Sequence, residues 1–139
     1  PLQMPEPVRE FSAEADISCG ELTFSGTLSV YSHADIRFTF SAPENISGFA
    51  IRTVPDGFQC DILGIENFLP RSALPDNSPI IVLFDAVGRA VFTPVSLHKK
   101  NSEDFSAVIE NGRYNVIYDR EGKLKLITSQ PLDFHIAIK

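Results

Sequence analysis

An alternation of apolar and small polar residues from residue 22 to residue 40 constrains the fold of this chain more than any other feature. Successive side chains of a strand point to opposite faces of a sheet, so this two-residue period predicts half-buried strands. The pattern breaks once, at Ser32-His33-Ala34, which divides the stretch into two antiparallel strands. We therefore expect a sheet with one apolar face, and a function that depends on what covers it. The apolar positions are Leu22, Phe24, Gly26, Leu28, Val30, Ile36, Phe38 and Phe40.

Segments with the same period lie on both sides of this stretch. Residues 11–19 alternate up to Cys19-Gly20, where the parity slips by one residue, as it does at a tight hairpin turn. A turn is predicted at Pro55-Asp56-Gly57, with the glycine taking the positive φ. Asn111-Gly112 is the strongest short hairpin signal in the chain. In total we expect about nine or ten strands. Besides residues 11–19 and the two strands between residues 22 and 40, the predicted strands lie at 46–54, 58–62, 105–109, 114–118, 124–126 and 132–138.

One segment has the pattern of a helix. Ser78-Pro79 combines a capping hydroxyl with a residue whose missing N–H costs nothing at the first helical position. Apolar residues then recur at helical spacing, and Gly88 lies near the expected end. A run this apolar also fits a buried strand, but the cap favours a helix. The apolar positions are Ile80, Leu83, Phe84 and Val87, with Ile81 and Val82 widening the stripe.

Residues 65–77 lose the two-residue period but keep large apolar side chains. Four such side chains left in water would form a sticky patch, so we expect this segment to fold back over the sheet as an apolar flap. The apolar residues are Ile65, Phe68, Leu69 and Leu74, spaced by Pro70 and Pro75.

The predicted sheet is too wide for one helix to cover. Nine strands spaced about 4.8 Å apart span about 40 Å, whereas a helix with its side chains is about 10–12 Å across. The sheet must therefore close into a filled barrel or curl into a half-barrel. We expect a mainly β (α+β) fold: a curved antiparallel sheet forming an incomplete barrel, with the helix and the flap packed on its concave face.

Large apolar side chains dominate the inward positions of this predicted sheet, among them Phe134, Leu126 and Ile136. An apolar cavity with little polar decoration suits an acyl chain. The alternative is that these side chains pack on one another and fill the interior. The candidate ligand-binding residues of the cavity and flap are Phe24, Leu28, Phe38, Phe40, Phe58, Phe68, Leu69, Leu83 and Phe84.

The composition excludes several other classes of function. The chain of 139 residues has a net charge of −6 and scattered basic residues, which argues against a nucleic-acid surface. Cys19 and Cys60 occupy apolar positions of predicted strands, where they suit buried free thiols or, less well, a cross-strand disulfide. Metal-ligand spacings such as CxxC are missing from the sequence, so we expect neither a metal nor another cofactor.

The sequence offers no catalytic motif either. GxSxG, P-loop and GxGxxG patterns are all missing. The histidines at 33, 98 and 135 have no partner at metal or triad spacing, and we expect them at the surface. Asp56, Asp61 and Glu66 flank the fifth strand and have the chemistry of acid/base carboxylates, but solvation at a turn and on the outer face accounts for them. We do not expect an enzyme.

The first ten residues form a Pro-rich segment without a core-forming pattern. We expect residues 1–10 to be an exposed tether and residues 11–139 a single half-barrel domain, long enough to bury roughly two thirds of its unfolded surface. The chain starts at proline, as it would after removal of an upstream segment, so we expect an exported protein.

The order of these elements resembles the LolA/LolB-like lipoprotein-carrier superfamily of bacteria. The residues that carry the resemblance are the run from Phe11-Ser12-Ala13 through Phe38, the segment Pro43-Glu44-Asn45-Ile46-Ser47-Gly48, and the turn with Asp56-Gly57. The resemblance implies an incomplete barrel around an apolar cavity, an extracytoplasmic location, anchoring by lipid on an upstream cysteine, and binding of acyl chains or lipoproteins. The family's usual N-terminal helix is replaced here by the Pro-rich opening.

The resulting hypothesis is a non-catalytic, monomeric domain of the cell envelope, lipid-anchored or peripheral to the membrane. It would bind a hydrophobic small molecule, a lipid or a lipidated protein on the concave face of its sheet. The alternative is a structural or protein-interaction domain with a filled core and no ligand.

Overall fold

The computed structural model describes residues 7–93, 95–110 and 112–139. Within these residues, eleven strands form one sheet in the order β6-β5-β4-β3-β2-β1-β11-β10-β9-β8-β7, and all neighbours run antiparallel. One helix, α1, spans Pro79–Phe92. The strands are β1 Phe11–Cys19, β2 Leu22–Ser32, β3 Asp35–Ala42, β4 Ala50–Val54, β5 Gly57–Ile62, β6 Ile65–Pro70, β7 His98–Lys99, β8 Asp104–Ile109, β9 Tyr114–Asp119, β10 Leu124–Ser129 and β11 Phe134–Ile138.

Contacts to α1 show that the sheet is curved. Phe58 on β5 packs on Phe84 of the helix, with ring centroids 5.4 Å apart. Tyr118 on β9 donates a hydrogen bond to the Ala90 carbonyl of the same helix. Strands β4, β3, β2, β1, β11 and β10 lie between β5 and β9, so a flat sheet would hold these two contacts about 34 Å apart. The sheet therefore curls around α1 as an open half-barrel, which confirms the predicted fold class.

The helix begins as predicted but ends later. The Ser78 hydroxyl accepts the Ile81 N–H at 3.3 Å, and Pro79 occupies the first turn. The helix then continues through Gly88 to Phe92, so the expectation that it ends near Gly88 is wrong. Its apolar residues are not confined to one stripe, because the curved sheet surrounds it. Its buried residues are Ile81, Val82, Leu83, Phe84, Ala86, Val87, Ala90 and Val91.

The predicted flap is only partly a loop. Residues 65–70 form the edge strand β6, with Phe58 opposite Leu69 and Gln59 opposite Phe68. A short 3₁₀ turn, Arg71–Ala73, follows it and leads to Leu74, which packs on the core. The flap interpretation is therefore wrong for residues 65–70. These residues show no alternation of apolar and polar side chains, because an edge strand can leave both of its faces exposed.

Two details of the strands also differ from expectation. The positive φ of the β4–β5 turn lies at Asp56 (64°), while Gly57 belongs to the strand itself. A Cβ at Gly57 would collide with the Leu69 carbonyl oxygen. In β10, a bulge between Leu124 and Leu126 reverses the parity, so Leu126 does not join Ile127 on the inner face.

The described cysteines are free thiols. Cys19 lies on β1 and Cys60 on β5, with three strands between them, so the sheet itself keeps the two sulfurs apart. Burial raises the pKa of the Cys60 thiol. The preference for free thiols over a cross-strand bridge is therefore confirmed.

Two other predictions touch residues outside the described part. The β8–β9 hairpin forms, with Ile109 opposite Tyr114, although Asn111 of its predicted turn lies outside the described residues. Residues 1–6 of the predicted tether also lie outside them. Val8 already contacts the sheet domain, since its N–H donates a hydrogen bond to the Gly122 carbonyl at 2.9 Å.

Candidate ligand-binding groove

Helix α1 covers the deepest part of the concave face. Leu28 and Phe38 are fully buried there, and Leu83 and Phe84 are each 5% exposed. Space for the Phe38 ring exists because residue 26 is glycine: a Cβ at Gly26 would lie 2.8 Å from the ring and would collide with the Thr39 carbonyl oxygen. Of these predicted ligand contacts, Leu28, Phe38 and Leu83 are thus packed core residues while the helix is in place.

The remaining predicted residues lie at the margins. Phe24 and Phe40 are half-buried and meet edge to face, with centroids 5.7 Å apart. Leu69 is half-buried and shares the inner face with Phe58. Phe68 is 53% exposed and lies on the outer face beside Gly57, so its predicted place on the concave face is wrong.

An open groove runs along one flank of α1, between the helix and strands β3 to β5. Its volume is about 620 Å³. Two of the predicted residues, Phe58 and Phe84, contribute to it and carry the contact between helix and sheet. The apolar residues of the lining, here called its floor, are Ile36, Val54, Phe58, Phe84, Gly88 and Phe92, and the polar residues, which expose slightly more surface to the groove, include His33, Thr53, Asp56, Arg71, Asp85 and Arg89.

A polar network fixes the helix at the side of this groove. Asp85 accepts a hydrogen bond from the Tyr114 hydroxyl at 3.0 Å and another from the Arg89 Nε at 3.1 Å. Arg89 also forms an ion pair with Glu110 beyond β8, at 2.7 Å. Burial, and then the Asp85 carboxylate, raise the pKa of Tyr114 to about 12. The tyrosine therefore stays neutral and keeps donating to Asp85.

A second hollow of about 560 Å³ continues from the groove. The two cavities share Asp56 and Arg71, and the second is completed by Ser72, Leu74 and Asp76. Arg71 forms no ion pair within the described ranges, so its guanidinium is available at the junction. Together the cavities form one hollow whose lining mixes aromatic and charged side chains.

The carboxylates considered for catalysis do not converge on a cleft. Asp56 is at an exposed turn, while Asp61 accepts the Gly64 N–H at 3.0 Å and faces Glu66 across β5 and β6. His33, His98 and His135 are exposed, as expected. Within residues 7–93, 95–110 and 112–139 no three His, Cys, Asp or Glu side chains are placed to hold a metal ion.

Several residues of the groove carried no recognisable signal in the sequence. His33 contacts Phe92 edge to face, with centroids 6.0 Å apart, although it comes from a turn 59 positions earlier. Asp85 and Arg89 have the helical i, i+4 spacing of an ion pair, which was a usable signal. Gly88 between them marks where the helix leaves space for the groove.

The described part of the chain contains no helix that is long and apolar enough to cross a membrane.

No protein-family model and no curated protein sequence matches this chain. Among solved structures, it is similar to a LolA superfamily protein from Nitrosomonas europaea, with a TM-score of 0.46 and 9% identity over 89% of this chain. It spans 65% of that protein, which is less than two thirds of its length. It is also similar to a putative outer membrane lipoprotein-sorting protein domain from Vibrio parahaemolyticus, with a TM-score of 0.46 and 10% identity over 92% of this chain and 82% of that one. The first of these structures bears the name of the superfamily that the sequence resembles.

Proposed function

We propose that this chain is a non-catalytic domain that binds the acyl chain of an amphiphile in the groove between α1 and strands β3 to β5. The observation that carries the proposal is an open groove whose lining includes the aromatic residues Phe58, Phe84 and Phe92, next to a helix that otherwise covers the concave face. The ligand class is a lipid, a fatty acid or the acyl chain of a lipidated protein.

The volume of the groove supports this ligand class. Small-molecule sites usually have volumes of about 300–1,000 Å³. The groove falls within this range. An acyl chain would lie on the aromatic floor, and the polar end of the molecule would reach the second hollow, where Arg71 and Asp56 offer both signs of charge.

Binding at this flank needs no displacement of the helix. The hydrogen bonds from Tyr118 to Ala90 and from Tyr114 to Asp85 hold α1 against β9, and the Asp85 carboxylate also lines the groove. Of the residues predicted from the sequence, Phe58 and Phe84 would contact the ligand. Leu28, Phe38 and Leu83 are core residues that would pack beneath the floor.

The setting of this function is part of the same proposal. A domain that holds acyl chains outside the cytoplasm would act on lipids or lipidated proteins of the cell envelope. We propose that it works there as a monomer, attached to the membrane by lipid or peripherally.

A second candidate is a structural or protein-interaction domain with a filled core. The burial of eight α1 residues and of Leu28 and Phe38 favours it, because these side chains occupy the space between the helix and the sheet. The two candidates differ in whether the groove at the flank of the helix takes a ligand.

Titration with an environment-sensitive fluorescent acyl probe tests the proposal. Wild-type protein should bind at micromolar concentration, and Gly88→Leu should weaken binding at least tenfold. A side chain at position 88 enters the groove without removing a core contact, since a Cβ there would meet only Ile36, at 3.8 Å. Val108→Ser, at a 63% exposed position of β8, is the matched control and should bind as the wild type does. Equal binding by the wild type and Gly88→Leu, or none by either, supports the filled-core candidate.

A further inference from the structure

The two edges of the sheet are protected to very different degrees. Edge strand β7 has only two residues, His98–Lys99, and Lys100 follows it. Short edges with lysines are a common protection against pairing with other chains. Edge strand β6 has six residues, and five of them are exposed. It carries a single charged residue, Glu66, and its one proline stands at the end.

The backbone of β6 presents unpaired groups to solvent. Ile62 and Ile65 are opposite each other across the two-residue turn Leu63-Gly64, both of whose φ angles are positive. In an antiparallel ladder, alternate residues bond the partner strand, so Ile65, Asn67 and Leu69 bond β5. The N–H and C=O groups of Glu66 and Phe68 therefore point away from the sheet.

Large apolar side chains surround these free groups. The described part of the chain has seven exposed large apolar side chains, and four of them are on the β5–β6 hairpin. These four are Ile62 (40% exposed), Leu63 (84%), Ile65 (65%) and Phe68 (53%). Such a concentration at one edge is typical of an interaction site.

The chemistry of the edge selects among three kinds of occupant. A lipid surface leaves the free N–H and C=O groups of Glu66 and Phe68 without partners, which is costly in an apolar medium. A second copy paired at this edge would bring its own Glu66 and Asp61 close to Glu66 and Asp61 of the first copy. Each copy also carries a net charge of −6, so the two would repel each other. Neither carboxylate forms an ion pair within the described residues. An extended peptide with basic side chains satisfies both the backbone and the charges.

We infer that the β6 edge is a docking site for an extended, apolar peptide segment that carries basic residues and adds to the sheet as a twelfth strand. Its backbone bonds the free groups of Glu66 and Phe68, its apolar side chains lie beside Ile65 on the inner face, and its basic side chains meet Glu66 and Asp61 on the outer face. This site is the outward backbone of β6, which does not line the proposed acyl groove, and the inference does not depend on that groove.

Residue-resolved hydrogen exchange on the full chain tests the inference, with a ten-residue peptide of alternating valine and lysine as the probe. At saturating peptide, the amides of Glu66 and Phe68 should exchange at least tenfold more slowly. A peptide of alternating valine and glutamate should have no such effect, since it repeats the charge of the edge. Unchanged exchange with the lysine peptide, or equal slowing with both peptides, overturns the inference.

Two variants at one position separate the backbone from the charge. Glu66→Pro removes an outward N–H without touching the ladder to β5, so it should abolish binding of the lysine peptide. Glu66→Gln keeps the N–H and should weaken binding several-fold only. If Glu66→Pro binds as the wild type does, no strand is added and the inference fails. The exchange measurement on wild-type protein decides the matter if that variant does not fold.

The other occupants give distinct results. Slow exchange of Glu66 and Phe68 without peptide, increasing with protein concentration, identifies a second copy. Binding to phosphatidylcholine vesicles that Phe68→Ser abolishes, without slowed amides, identifies a lipid surface. Either result overturns the peptide assignment.

Discussion

The Tyr118 hydroxyl donates a 2.5 Å hydrogen bond to the carbonyl oxygen of Ala90 in the last turn of helix α1. Carbonyl groups in a last helical turn lack an N–H partner within the helix. For Ala90 the usual partner would be residue 94, which is proline and has no N–H. A side chain from β9 therefore completes the hydrogen bonding of the helix and fixes the helix to the sheet.

Removing this hydroxyl should destabilise the domain. Tyr118→Phe leaves a buried carbonyl without a partner, which costs about 1–3 kcal/mol, or roughly 3 to 12 °C in the melting temperature. Thermal unfolding followed by circular dichroism measures the loss. Tyr31→Phe, at a half-exposed ring, is the control and should change stability by no more than about 0.5 kcal/mol. An equal effect of the two changes would contradict the anchoring role.

The buried tyrosines should also make the fold sensitive to alkali. Burial raises the pKa of Tyr118 to about 12, and burial with the Asp85 carboxylate does the same for Tyr114. In the unfolded chain a tyrosine has a pKa of about 10. Because the folded state holds the protons more tightly, this stabilisation is complete below pH 10 and is lost as the pH rises towards 12.

Urea unfolding at pH 8 and pH 11.5 measures this dependence. The midpoint should fall clearly at the higher pH, and Tyr118→Phe should show a smaller fall. An unchanged wild-type midpoint would show that neither tyrosine resists ionisation in the fold.

Two glycines should respond to alanine in opposite directions. Gly26→Ala places a methyl group against the Thr39 carbonyl and the Phe38 ring, so we expect destabilisation by about 1–3 kcal/mol. Gly88→Ala has space next to Ile36 and removes a poor helix former, so we expect stabilisation by up to about 1 kcal/mol. Chemical unfolding of both variants gives the two free energies. The same sign for both would contradict the packing described for the concave face.

The turn of the β5–β6 hairpin contains a residue in a strained conformation. Leu63 has a φ of 54°, in the left-handed region that costs a branched side chain about 1–2 kcal/mol. Leu63→Asn places the preferred Asn-Gly pair in this turn and should stabilise the domain by about 1 kcal/mol. Its melting temperature should rise by a few degrees, and a decrease would show that Leu63 packs on something in the fold.

The sequence predicted the sheet because its strands are half-buried, with a strict alternation in β2 and β3. Ser78-Pro79 predicted the start of the helix by a local mechanism, the cap. The end of the helix was missed because Gly88 reads locally as a terminator, whereas here the surrounding sheet keeps the helix intact beyond it. Strand β6 was missed because nearly all of its residues are exposed, so its sequence shows no alternation of apolar and polar side chains.

The candidate site was harder to predict than the fold. The inward parity of Phe58 and the helical spacing of Phe84 correctly placed both near the interior. Parity cannot show which inward residues a helix covers, so Leu28 and Phe38 appeared as cavity residues although α1 packs over them. His33 and Arg71 reach the groove only through the curvature of the sheet, which no local pattern encodes.

The most direct test of the proposed function is the position of a bound acyl chain. We would measure intermolecular nuclear Overhauser effects between a dodecyl lysophospholipid and methyl-labelled protein. We predict contacts from the chain to the Ile36 and Val54 methyl groups, which line the groove, with the Tyr118 hydrogen bond to α1 retained. Contacts to Leu28 and Val30 beneath the helix, or no contacts at saturating lipid, would contradict binding in the groove at the flank of α1.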